Sequence, residues 1–170
     1  LQSAGWVEDV AFSPAEYILA WAGDGGIWLY DPQRDQVIFH LTGHTRQVHT
    51  VAFSPDGSRL YSGGVDTGGG RIRAWDLRYG AELWSVVAAP DGWGVGFVMS
   101  HDGNWLASTV SFKFTLWKLD DSGIQEYIVL SRSGANPGLS PNGQWIAFWE
   151  TSGGTRITDM EGNEAHFLPD

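Results

Sequence analysis

The stretch "VAFSPDGSRLYSGGVD", Val51 to Asp66, decides the fold. A short apolar run enters Ser-Pro-Asp-Gly and a second run leaves it, as two short strands around a tight turn would. The turn residues account for the reversal. Pro presets φ, Ser and Asp side chains bond back to the backbone, and Gly accepts a positive φ. Nothing in the stretch is reactive, yet "VAFSP" returns at Val10–Pro14 and "LSPNGQWIAF" at Leu139–Phe148 has the same form.

The recurrence is periodic. Ser13, Ser54, Ser100 and Ser140 anchor successive turns 41, 46 and 40 residues apart. An apolar run follows each: "YILAWA", "RLYSGG", "NWLAST" and "QWIAFW". A further turn leads to "GIWLYD", "RIRAWD", "FTLWKL" and "TRITDM", which align on Tyr30, Trp75, Trp117 and Thr158 at spacings of 45, 42 and 41. A fourth run closes each unit: "DQVIFHL", "AELWSVV", "IQEYIVL" and "NEAHFLP". Two anchors with one period predict an all-β chain of four β-propeller blades, each of four antiparallel strands. The expected blades cover roughly 1–41, 42–88, 89–130 and 131–170 of a single module spanning 1–170. Helical periodicity is nowhere sustained.

The second repeat carries a family resemblance. Gly43-His44, "VAFSPDG", "SGG", Asp66 and Trp75-Asp76 fall in the order and spacing of a WD repeat, and the chain as a whole resembles the WD-repeat family. That resemblance implies a buried hydrogen-bonded tetrad of His44, Ser62, Asp66 and Trp75. The chemistry is reasonable, because a buried carboxylate requires partners and an imidazole bridges an acid and a hydroxyl. The other repeats depart from the pattern. The first keeps Asp24 but no His near Gly5. The third has Ser108 and Trp117, with Ser111 where Asp would stand. The fourth has neither His nor Trp, and is also similar to TolB-type propeller repeats.

Composition narrows the function. Twenty acidic against ten basic residues give a net charge of −10, with no Lys/Arg cluster to hold nucleic acid or an anionic membrane. No apolar run reaches a membrane-spanning length. The chain has no Cys, which fits a reducing, cytoplasmic setting. His44 and His49 lack a third ligand, the pairs Glu8-Asp9 and Asp120-Asp121 read as solvated, and the glycine runs at 23–26 and 68–70 read as hairpin turns. No nucleophile motif occurs. The expectation is a non-enzyme without cofactor or metal.

A binding role is the alternative to chemistry. The loops entering each first strand place Trp6, Gln47, Trp93 and Ser133 at equivalent positions, with Arg46 beside Gln47. In WD-repeat proteins such loops rim one face of the disc, and indoles there suit a protein partner. The expected function is a protein–protein interaction or scaffold module, its partner a protein or a neighbouring domain. The alternative is a TolB-like lobe accessory to a hydrolase outside this chain. Leu1 aligns with Leu41 and the last strand with its counterparts, so four whole repeats are expected, in phase. Further blades, a homodimer forming an eight-bladed ring, or closure of four blades alone would each cover the apolar end faces.

Overall fold

The computed structural model describes residues 5–24, 26–90, 94–110, 113–120, 122–150 and 153–169, with the side chains of 110, 113, 126, 127 and 130–136 excepted. The protein is all-β, with no helix among the described residues. Its residues gather into two compact units, Leu1–Gly96 and Phe97–Asp170.

In the first unit, β1 (Val7–Phe12), β2 (Leu19–Gly23), β3 (Gly26–Asp31) and β4 (Gln36–Leu41) form one antiparallel meander. Then β5 (Val48–Phe53), β6 (Arg59–Asp66), β7 (Gly69–Asp76) and β8 (Ala81–Ala89) form a second. These are blades one and two. Strand alternation gives each blade two faces. Blade one turns Ala20, Ala22, Ile27, Leu29 and Leu41 onto Val48, Val51, Phe53, Leu60 and Trp75 of blade two, and these residues form one buried core. Asp9 of β1 ties the two blades together. Its Oδ2 accepts from the Val51 amide at 2.9 Å and from the Thr50 hydroxyl at 3.1 Å.

The opposite face of blade one is aromatic. Cross-strand partners Val10, Trp21, Trp28 and His40 share it, as do Phe12, Leu19, Tyr30 and Val37. Trp21 and Trp28 stack with ring centroids 5.9 Å apart, and Trp28 stacks on His40 at 4.6 Å. Phe12 is 72% exposed on this face.

The second unit holds β9 (Gly96–Met99), β10 (Trp105–Val110), β11 (Lys113–Asp120), β12 (Gly123–Leu139), β13 (Trp145–Glu150), β14 (Thr155–Asp159) and β15 (Glu164–Leu168). They make one continuous seven-stranded sheet in place of two separate meanders. The cause lies in β12, which pairs with β11 along its first part and with β13 along its last. It therefore closes blade three and opens blade four without a break. Pro137 has no amide to give a ladder, and it sits where the register shifts between Ala135 and Gly138, the position a proline tolerates in a strand. Phe114, Leu116 and Ala107 of blade three bury Ile146 and Phe148 of blade four.

The Ser-anchored turn is built alike in blades two, three and four. Ser54 donates to Asp56 at 2.6 Å, Ser100 to Asp102 at 2.5 Å and Ser140 to Asn142 at 2.7 Å. Each hydroxyl also accepts an amide, from Arg59, Trp105 and Trp145 respectively, at 2.9 Å in all three. Gly57, Gly103 and Gly143 adopt φ of 72°, 75° and 63°, a conformation that side chains resist.

Candidate functional site

The structure brings His44, Ser62, Asp66 and Trp75 together on the face of blade two that meets blade one. Ser62 is fully buried on β6. Its Oγ accepts from the Trp75 indole N–H at 2.9 Å and lies 2.9 Å from His44 Nε2. With the indole donating to it, the hydroxyl proton goes to Nε2, so the imidazole proton belongs on Nδ1. Nδ1 stands 3.6 Å from Asp66 Oδ1, beyond hydrogen-bond length, and no other group closes on it. Burial pushes the His44 pKa down to about 4, so the ring is neutral near pH 7.

Asp66 sits at the end of β6 with three donors. Oδ1 takes the Thr45 amide at 2.8 Å; Oδ2 takes Arg73 Nη2 at 2.6 Å and lies 3.2 Å from Arg71 Nε. Burial alone would raise this carboxyl, but the Thr45 amide and the Arg73 guanidinium outweigh it and hold the pKa below the usual range. Arg73 also donates to Gly43 O at 3.0 Å and pairs with Glu82 on β8. The result is an acid–arginine–acid bracket across β6, β7 and β8. The two arginines escaped the reading of the sequence, although period-two alternation puts Arg71, Arg73 and Trp75 on one face of β7.

Ser, His and Asp brought close together invite a hydrolytic reading, although only Ser62 and His44 are in hydrogen-bonding reach. The burial argues against it. Ser62 Oγ has no exposed surface, accepts a hydrogen bond from the indole and donates one to His44, so nothing can approach it. The acid is clamped by guanidinium groups instead of orienting a base. Among the described residues no His/Cys/Asp/Glu group could hold a metal ion.

Blade three keeps only part of this arrangement. Trp117 donates to the buried Ser108 Oγ at 2.8 Å, and Ser111 lies outside the described residues. Blade four rebuilds the bracket from other residues. Buried Glu150 accepts Arg156 Nε at 2.5 Å and Nη2 at 2.8 Å, and Arg156 pairs in turn with Glu164. Arg156 also lies over the Phe167 ring, 4.9 Å from its centroid.

Of the rim candidates, Trp6 is 79% exposed, while its backbone carbonyl accepts the Asp24 amide. Arg46 is exposed, its amide bonded to Val65 O. Gln47 Nε2 donates to Glu8 Oε1 at 2.7 Å, which ties the loop before β5 to the start of β1. Trp93 lies outside the described residues.

Comparison with known proteins agrees with this architecture. The family model "WD domain, G-beta repeat" matches residues 35–76. The small ribosomal subunit protein RACK1 of Caenorhabditis elegans is 32% identical over 165 residues, 93% of this chain and 48% of that protein. The chain belongs to the WD-repeat family. Other WD-repeat relatives align over shorter spans. Protein groucho of Drosophila melanogaster is 32% identical over 99 residues, 58% of this chain and 13% of its own. RACK1 of Medicago sativa is 38% identical over 86 residues, 51% of this chain and 25% of its own. The chain thus spans about half the length of the nematode relative. Among the described residues no helix is long and apolar enough to cross a membrane.

Proposed function

We propose that this chain is a non-catalytic protein–protein interaction module whose rim, built from Trp6, Arg46 and Gln47, docks a protein partner in the cytoplasm. The observation that carries the reading is Trp6. A large indole left 79% exposed on a backbone pinned to Asp24 costs little to order on binding. The tetrad of His44, Ser62, Asp66 and Trp75 is structural in this reading, supported by its burial. RACK1 relatives are named as small ribosomal subunit proteins, which supports a place within a larger assembly.

A second reading concerns completion of the propeller. The aromatic face of blade one and the outward face of blade four favour further blades packing there, from a longer polypeptide or a second copy. A photo-reactive residue at position 6 should cross-link a protein from the native extract. Affinity for that protein, once purified, should fall at least tenfold, about 1.4 kcal/mol, on Trp6→Ala with folding stability unchanged. Equal affinity, or a stability loss of several kcal/mol as a core truncation gives, rejects the rim.

A further inference from the structure

We propose that the seam between blades one and two, at the end of the strands opposite the rim, holds an arginine or lysine side chain from a basic segment of a partner protein. The proposal goes beyond the rim and does not depend on it. Antiparallel meanders send successive turns to opposite ends of the strands. The loops before β1 and β5, with Trp6 and Gln47, lie at one end; the β1–β2, β5–β6 and β7–β8 turns lie at the other. At that other end the blades meet closely at two glycines. A Cβ on Gly57 would stand 2.7 Å from that of Ala15, and one on Gly80 2.5 Å from the Phe39 ring. Beside these contacts the seam opens into a cavity of about 540 Å³, the size of a small-ligand site.

The lining suits a long cationic side chain. Ile18 and Leu77, which pack against the buried core, offer an apolar wall for a methylene stem. Glu16 from blade one and Asp76 from blade two offer carboxylates for its charged end. Asp76 uses Oδ1 to accept the Arg78 amide at 2.8 Å, which leaves Oδ2 as an acceptor. The two arginines of the lining are otherwise occupied. Arg59 has a partner of its own, and Arg78 lies over the Tyr79 ring, 5.9 Å from its centroid. Tyr17, between Glu16 and Ile18, and Tyr79, next to Arg78, are 73% and 69% exposed. Exposed tyrosines beside a cavity suit the margin of a protein contact. The net charge of −10 attracts a basic partner at long range and disfavours an acidic one.

Titration of the isotope-labelled 170-residue chain with N-acetyl-arginine methylamide, followed by NMR, tests this. The amides of Glu16, Ile18, Asp76 and Leu77 should shift together and saturate. The citrulline counterpart, alike in shape but neutral, should bind about tenfold more weakly, as loss of a charge-assisted pair implies. Glu16→Gln should weaken the arginine probe about fivefold. Asp76→Asn, which keeps an acceptor for the Arg78 amide, should weaken it by a similar factor. Glu161→Gln removes an exposed acid outside the cavity and should change nothing. Trp6→Ala should change nothing either, so loss of the rim and loss of this site are read separately. The same spectra report folding, and if Asp76→Asn unfolds the blade, Glu16→Gln decides alone. Equal binding of the citrulline probe, an equal effect of Glu161→Gln, shifts confined to other residues, or no saturable shift would each overturn the proposal.

Discussion

Blades two and four hold their strands with the same device on different walls. In blade two the bracket Asp66–Arg73–Glu82 lies beside a Ser–His–Trp cluster; in blade four Glu150–Arg156–Glu164 lies beside Phe148 and Thr158. The family motif has gone from blade four, and the bracket remains. An arginine on the third strand reaches acids on both neighbours, so it pins three strands at once. The WD tetrad is then one way to line the bracket and not the condition for a blade.

The comparison breaks most directly at the arginines. Arg156 gives two donors to Glu150, so Arg156→Met strips a bidentate partner from a buried acid. A clear loss of stability is expected, because a buried carboxylate gives up its guanidinium partner. Arg73→Met leaves Asp66 with the Thr45 amide and Arg71, and should cost less. Urea denaturation of both variants decides the order. A larger loss for Arg73→Met would mean that the tetrad, and not the bracket, carries blade two.

Much of this was legible in the sequence, and the omissions have physical causes. Strands and turns were readable because short apolar runs and Ser-Pro-Asp-Gly chemistry are local and recur at one period. The continuity of β12 was hidden by Gly134, Pro137 and Gly138, which suggest a loop but serve a bulge. Arg71 and Arg73 belong to no motif and gain their role only through partners on β6 and β8, although they share a face of β7 with Trp75. The aromatic stack of blade one was the hardest to foresee. Trp21, Trp28 and His40 lie on three strands and meet only through register.

Acid should separate the two blades next. His44 has a folded pKa near 4 against about 6.5 unfolded, so between those values the unfolded chain binds the extra proton. Its contribution is therefore fully present above pH 6.5 and is lost as pH falls toward 4. Between pH 7 and pH 5 the first unit should lose about 2 kcal/mol, and His44→Asn should flatten that slope. Blade four has no buried imidazole counterpart, and its unit should change less over this window. Asp66 acts lower. Its depressed pKa stabilises above the unfolded carboxylate value and fails only as pH falls through the folded one. Denaturation midpoints at several pH values, followed by Trp fluorescence, test the difference; equal slopes in wild type and His44→Asn would place the titration elsewhere.

The smallest expected difference lies in the turn that the two blades share. Ser54 donates to a carboxylate, Asp56, whose pKa is held at about 2, first by that hydroxyl and then by the Ser58 amide. Ser140 donates to the neutral amide oxygen of Asn142. Charged acceptors roughly double the worth of a hydrogen bond. Ser54→Ala should thus cost about 1.5 kcal/mol and Ser140→Ala about half that. Asp56→Asn turns the first acceptor into the second, and should bring the two serine substitutions to the same cost. If they still differ in that background, burial of Ser54 and not the charge of its partner sets the strength of the turn.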